Sequence, residues 1–118
     1  MFYTMSEDTS INIFKALDFI RDNAEHFAKA KAERVYLEEF KKTKKAMLMR
    51  LAEVDGHKSS ATQEREAYAH PEYVELLNAL KVAVEEEERI RWMMVAAQAK
   101  IEVFRTLQAT ARAEGKAL

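Results

Sequence analysis

The sequence predicts an all-α protein: a long antiparallel helical hairpin with a short connecting helix, completed into a bundle by oligomerisation. Three observations lead there. Glycine occurs twice and proline once in 118 residues, while Ala, Glu, Lys, Leu, Met, Arg and Gln, which lose little rotamer freedom in a helix, dominate. Apolar residues recur at alternating steps of three and four over long stretches. The clear interruptions are few: "DGHKSS" at 55–60 and the His70-Pro71 step.

Residues 1–9 are a candidate disordered start, and the first helix is expected over about 10–55. It carries two stripes, Ile13, Leu17, Ile20, Ala24 and Phe27, then Leu37, Phe40, Lys44, Met47, Leu51 and Val54, whose phases do not match. No helix breaker separates them, so either the buried face shifts along a continuous helix or the helix bends near 28–33. Gly56 ends it, and a loop follows over 56–60. Ser60 with Gln63 has capping-box spacing and starts a short helix over about 61–69. His70 precedes proline and so disfavours helical geometry, which makes it the candidate N-cap of the next helix. Pro71 suits a first turn, where its missing N–H costs nothing. The last helix is expected over about 71–113, with Gly115 as a natural stop. Its stripe is regular: Tyr73, Leu76, Leu80, Ala83, Glu87, Ile90, Met94, Ala97, Ile101, Phe104, Gln108 and Ala111, broken only by Glu87 and Gln108.

A hairpin covers one face of each helix, and the last helix has apolar residues on two. With Ile90 at heptad position d, Trp92, Val95, Ala96, Ala99 and Val103 form a second strip on the opposite side. Burying a large apolar side chain is worth about 1.5–3 kcal/mol, so a cover for this strip is expected. The N-terminal segment folding back is one candidate. A second copy of the chain is the favoured one, giving a homo-oligomer, most simply a two-fold dimer.

Composition bounds the rest. The length suits a single helical domain spanning 1–118. A formal charge of −1 implies weak whole-molecule attraction to nucleic acid or acidic membranes, so any such binding must come from a patch. The absence of cysteine excludes disulfides and thiolate metal sites and is compatible with a reducing compartment. "MFYTMSEDTS" lacks the pattern of a signal peptide, and the longest apolar run, "WMMVAA", is too short to span a bilayer. The expected setting is the cytoplasm, with no membrane association.

No reaction can be read from the chain, and no enzyme activity, cofactor or metal is expected. Glu85, Glu86, Glu87 and Glu88 invite a metal reading, since Glu85 and Glu88 sit on adjacent turns. Four consecutive glutamates point four ways around a helix, however, and Arg89 and Arg91 are close enough to neutralise several. No Glu-x-x-His follows, and Glu38 and Glu39 are adjacent, not spaced as a second metal-binding pair. The run reads as a solvated face, apart from Glu87 on the core stripe. His26, His57 and His70 have no Ser, Cys or acidic partner at a catalytic spacing, and no phosphate-binding glycine turn is present. Tyr68 and Tyr73 flank the His70-Pro71 corner as packing residues.

Charge distribution is more suggestive. Residues 29–50 hold eight basic side chains (Lys29, Lys31, Arg34, Lys41, Lys42, Lys44, Lys45, Arg50) against Glu33, Glu38 and Glu39, a local excess of +5. Arg34, Lys41, Lys42, Lys44, Lys45 and Arg50 are the candidate nucleic-acid contacts, with Tyr36 and Phe40 near enough to offer a ring to a base. The competing reading is that these lysines cover a polar helix face and pair with glutamates of a neighbouring helix. A further recognition surface is the exposed side of the short helix, with Gln63, Arg65 and Glu66.

"YLEEFKKTKKAMLM", "QEREAYAHPEYVELL" and "RIRWMMVAAQAKIEVFRTLQA" together resemble a family of small helical proteins of tailed bacteriophages and prophages, often found among early replication and recombination genes. The resemblance spans residues 33–112 and implies a setting, phage DNA metabolism, without a catalytic motif. The resulting expectation is a non-enzymatic phage accessory factor, an oligomeric helical scaffold binding DNA or a replication or recombination protein. Its contact residues would be the basic set and the strip of Trp92, Val95, Ala99 and Val103. The alternative is a protein-binding inhibitor or adaptor acting on a host enzyme through the acidic surface. A small metal enzyme ranks last.

Overall fold

The computed structural model describes residues 6–117, with side chains described over 13–115. The described residues form three helices and no strand: α1 (Ser6–Val54), α2 (Ser60–Ala69) and α3 (Pro71–Ala117). The chain is all-α, a long helix pair joined through a short helix. α1 starts before the expected residue 10; of the candidate disordered start, residues 1–5 lie outside the described residues. α3 runs past the expected stop because Gly115 keeps a negative φ, so no left-handed cap forms there.

Two compact units are present, one formed by Met1–Phe27 and Arg89–Leu118, the other by Ala28–Glu88. In the second unit α1 and α3 run antiparallel, since Arg34 meets Glu87 while Lys44 meets Glu72. Leu48, Ala67 and Tyr73 form its core, with Met49 against them. Ala67 is fully enclosed. Its contact with Leu48 and Tyr73 seats α2 on both long helices. In the first unit Ile13 and Ala16 of α1 and Ile90 and Ala97 of α3 are buried, with Ile20, Phe27, Met94, Ile101 and Phe104 half-buried beside them.

On α3 the buried and half-buried positions follow the expected stripe from Tyr73 to Phe104; Gln108 and Ala111 are exposed. α1 differs from the two mismatched stripes. Its helix continues unbroken through 28–33, and its less exposed positions keep one rhythm of three and four: Ile13, Ala16, Ile20, Asn23, Phe27, Ala30, Arg34, Leu37, Lys41, Lys44 and Leu48. Leu17, Ala24, Met47, Leu51 and Val54 are exposed. The physical reason is that small and polar residues occupy seam positions. Ala16 and Ala30 fill them with a methyl group, Asn23 donates its amide to the Phe19 carbonyl at 3.0 Å, and Arg34 brings its charge to a carboxylate.

The helix ends are chemically explicit. At the end of α1 the His57 N–H donates to the Ala52 carbonyl and the Gly56 N–H to that of Glu53, at 3.0 and 3.1 Å. This paired closure needs a left-handed residue, and Gly56 supplies it with φ of 108°. The cap of α2 is Ser59, one residue earlier than the expected Ser60. Ser59 has extended backbone and its Oγ accepts from the Thr62 N–H at 3.1 Å. Gln63 makes no capping box; its side-chain amide instead donates to the His57 carbonyl at 2.9 Å and ties the loop to α2. His70 closes α2 through its N–H to the Ala67 carbonyl, then opens α3. Its carbonyl accepts from Tyr73 and Val74, and its Nδ1 accepts from the Glu72 N–H at 3.0 Å. Tyr68 and Tyr73 meet edge to face across this corner, with ring centroids 5.3 Å apart.

Candidate interaction surfaces

The basic stretch of α1 lies in the second unit, where much of its charge is met locally. Arg34 donates side-on to both Glu87 oxygens, Nε to Oε2 at 2.6 Å and Nη2 to Oε1 at 3.0 Å, while Nη1 reaches Glu38 at 3.1 Å. These hydrogen bonds, to Glu87 first and Glu38 second, raise the guanidinium pKa further above its ordinary value. Lys44 pairs with Glu72 at 3.5 Å and Lys45 with Glu64 at 3.6 Å, contacts that reach α3 and α2. Lys45 also sits 4.7 Å from the centre of the Tyr68 ring. Its pKa is raised, chiefly by a hydrogen bond with Tyr68; desolvation opposes this, and the Glu64 charge adds to it.

Lys42 pairs with Glu39 within α1 at 3.5 Å and remains largely in solvent. Lys41 is half-buried and Arg50 exposed. Tyr36 and Phe40 stack nearly parallel with ring centroids 5.8 Å apart, and Tyr36 is mostly exposed. Six candidate contacts thus occupy α1, and three of them, Arg34, Lys44 and Lys45, face carboxylates of neighbouring helices.

On α2, Arg65 and Glu66 are exposed as the pattern requires. Gln63 is half-buried and engaged with the loop. Glu66 also borders a small hollow at the corner with Leu48, Leu51, Asp55, His57 and His70. Among the described residues no group of three or more His, Cys, Asp or Glu side chains is placed to hold a metal ion. Glu87, the one glutamate of its run on the core stripe, is the partner of Arg34, a role legible in retrospect from two opposite charges on facing seams.

The first unit presents the outer strip of α3. Trp92 is 58% exposed and Val103 56%, with Val95, Ala96 and Ala99 between them also exposed. The Arg91 guanidinium lies over the Trp92 ring, 4.6 Å from its centre. Around the flank of the helix, Met93, Ala96, Ala97 and Lys100 form a shallow groove with Lys15, Ala16 and Phe19 of α1. Glu102, on the same edge of the strip as Arg91, bonds Arg105 at 3.0 Å.

No described helix is long and apolar enough to cross a membrane. Comparison of the chain with protein-family models, with curated proteins and with solved structures yields no match.

Proposed function

We propose that the chain is a non-enzymatic accessory factor, a helical scaffold of the kind phages encode among early replication and recombination genes, and that it acts by associating with another macromolecule. The observation that carries the reading is the strip of Trp92, Val95, Ala99 and Val103. An exposed tryptophan flanked by aliphatic groups at helical spacing is a costly surface to leave in water and a favourable one to dock.

Between the two partner classes, protein has the better support. A nucleic-acid site needs cations available to phosphates. Recruiting Arg34, Lys44 or Lys45 would mean breaking contacts to Glu87, Glu72 or Glu64.

Titration of labelled single- and double-stranded oligonucleotides into the protein at low and at moderate salt separates the branches. The expected result is no binding at low salt by the wild type. Salt-dependent binding that disappears when Lys41, Lys42, Lys44 and Lys45 are all changed to Glu would transfer the function to nucleic acid.

A further inference from the structure

We infer that the outer strip of α3 in the first unit is a two-fold interface with a second copy of this chain, the two α3 helices crossing antiparallel at Ala96 and Ala99. The inference rests on the scaffold reading and supplies its assembly.

The spacing is the first argument. Trp92, Ala96, Ala99 and Val103 are separated by four, three and four residues, an order that reads the same in both directions. A two-fold axis between Ala97 and Gln98 therefore sets Trp92 opposite the partner's Val103 and Ala96 opposite the partner's Ala99, with both contacts occurring twice. Alanine methyl groups at the crossing let the backbones approach. The indole, held by Arg91 over its ring, covers the valine at each end. An interface that contacts itself through one patch is what a closed dimer requires.

Charge selects the direction. Arg91 and Glu102 share one edge of the strip, three helical turns apart. An antiparallel crossing on that axis brings each Arg91 to within about 3 Å, along the helix axis, of the level of the partner's Glu102, at 1.5 Å rise per residue. A parallel two-fold crossing would put the two copies of this edge on opposite sides of the interface, where Arg91 and Glu102 do not meet.

The size of the strip sets the strength. From Trp92 to Val103 it extends about 17 Å, a short face for a specific interface, which places the dimer among weak, reversible ones.

Sedimentation equilibrium of the full chain from about 1 to 500 μM tests this against the micromolar range. The expected result is a monomer–dimer equilibrium that Trp92→Glu weakens more than about tenfold with the helical circular dichroism unchanged. Arg91→Glu weakens it as well, and adding Glu102→Arg restores it. Because the chain contains no cysteine, register is read by mixing Ala96→Cys and Ala99→Cys chains in a thiol-disulfide buffer; the mixed disulfide should exceed either symmetric one. A monomer throughout, a dimer indifferent to Trp92→Glu, or a preference for symmetric disulfides overturns the inference. A monomer that still binds a partner would leave the scaffold reading standing, whereas a dimer that binds neither DNA nor protein would remove that reading and keep the interface.

Discussion

At the scale of the residue, Arg34 and Glu87 show how a charge comes to occupy a seam. Glu87 is 7% exposed and receives two hydrogen bonds from one guanidinium, so its carboxylate exchanges water for a bidentate partner. Removing Glu87 leaves the half-buried Arg34 with Glu38, while replacing both members of such a pair with apolar groups is often neutral or stabilising. Glu87→Leu is therefore expected to lower the melting temperature by several degrees, and Arg34→Leu with Glu87→Leu to recover most of the loss, both read by thermal circular dichroism. Lys45 provides a pH signature. Its folded pKa lies above the unfolded value, so its stabilisation is complete below about pH 10.4, the ordinary lysine value, and is lost as pH rises through the folded value. The melting-temperature difference between wild type and Lys45→Met should hold steady from about pH 7 to 9 and shrink above that ordinary value.

At the scale of the element, α3 was legible from the sequence and α1 only in part. Large side chains mark most seam positions of α3, so Tyr73, Ile90 and Ile101 declare their face without help from the fold. On α1 the seam passes through Ala16, Asn23, Ala30, Arg34, Lys41 and Lys44, while Leu17, Met47 and Leu51 stand one position aside. A reading that weights apolar size follows the wrong residues there, because what qualifies Arg34 for the seam is a carboxylate 53 residues away. The capping error at α2 has a similar origin: two adjacent serines offer the same oxygen, and only backbone geometry decides that Ser59 uses it. Ile90, 2% exposed, is the best probe of the α3 seam. Ile90→Ala should cost about 2–5 kcal/mol in denaturant unfolding, whereas Val103→Ala, on the outer strip, should cost far less at concentrations where the chain is monomeric.

At the scale of the whole molecule, a formal charge of −1 conceals a sorted distribution. The basic excess of residues 29–50 is met in large part by Glu64, Glu72 and Glu87 of later helices. The sequence disclosed the excess; its partners became visible only once the helices were placed side by side. The strip around Trp92 was equally visible in the heptad numbering, and the structure leaves it open to solvent. If two copies cover it, folding and association are linked. The melting temperature should then rise with protein concentration in the wild type and become independent of it in Trp92→Glu, a comparison that differential scanning calorimetry provides.

His70 is the last residue of one helix's hydrogen-bonding scheme and the first of the next, with no spacer between them. The two helices are therefore geared together like teeth on one shaft. An extra residue in the 55–59 loop can be absorbed as slack, but one inserted between Ala69 and Pro71 would separate the His70 bonds that close α2 from those that open α3. Losing that shared joint would free α2 from the angle that seats Ala67 beside Leu48 and Tyr73. The angle of α2 is inherited from α3, and insertion scanning should find this junction the least tolerant point between the long helices.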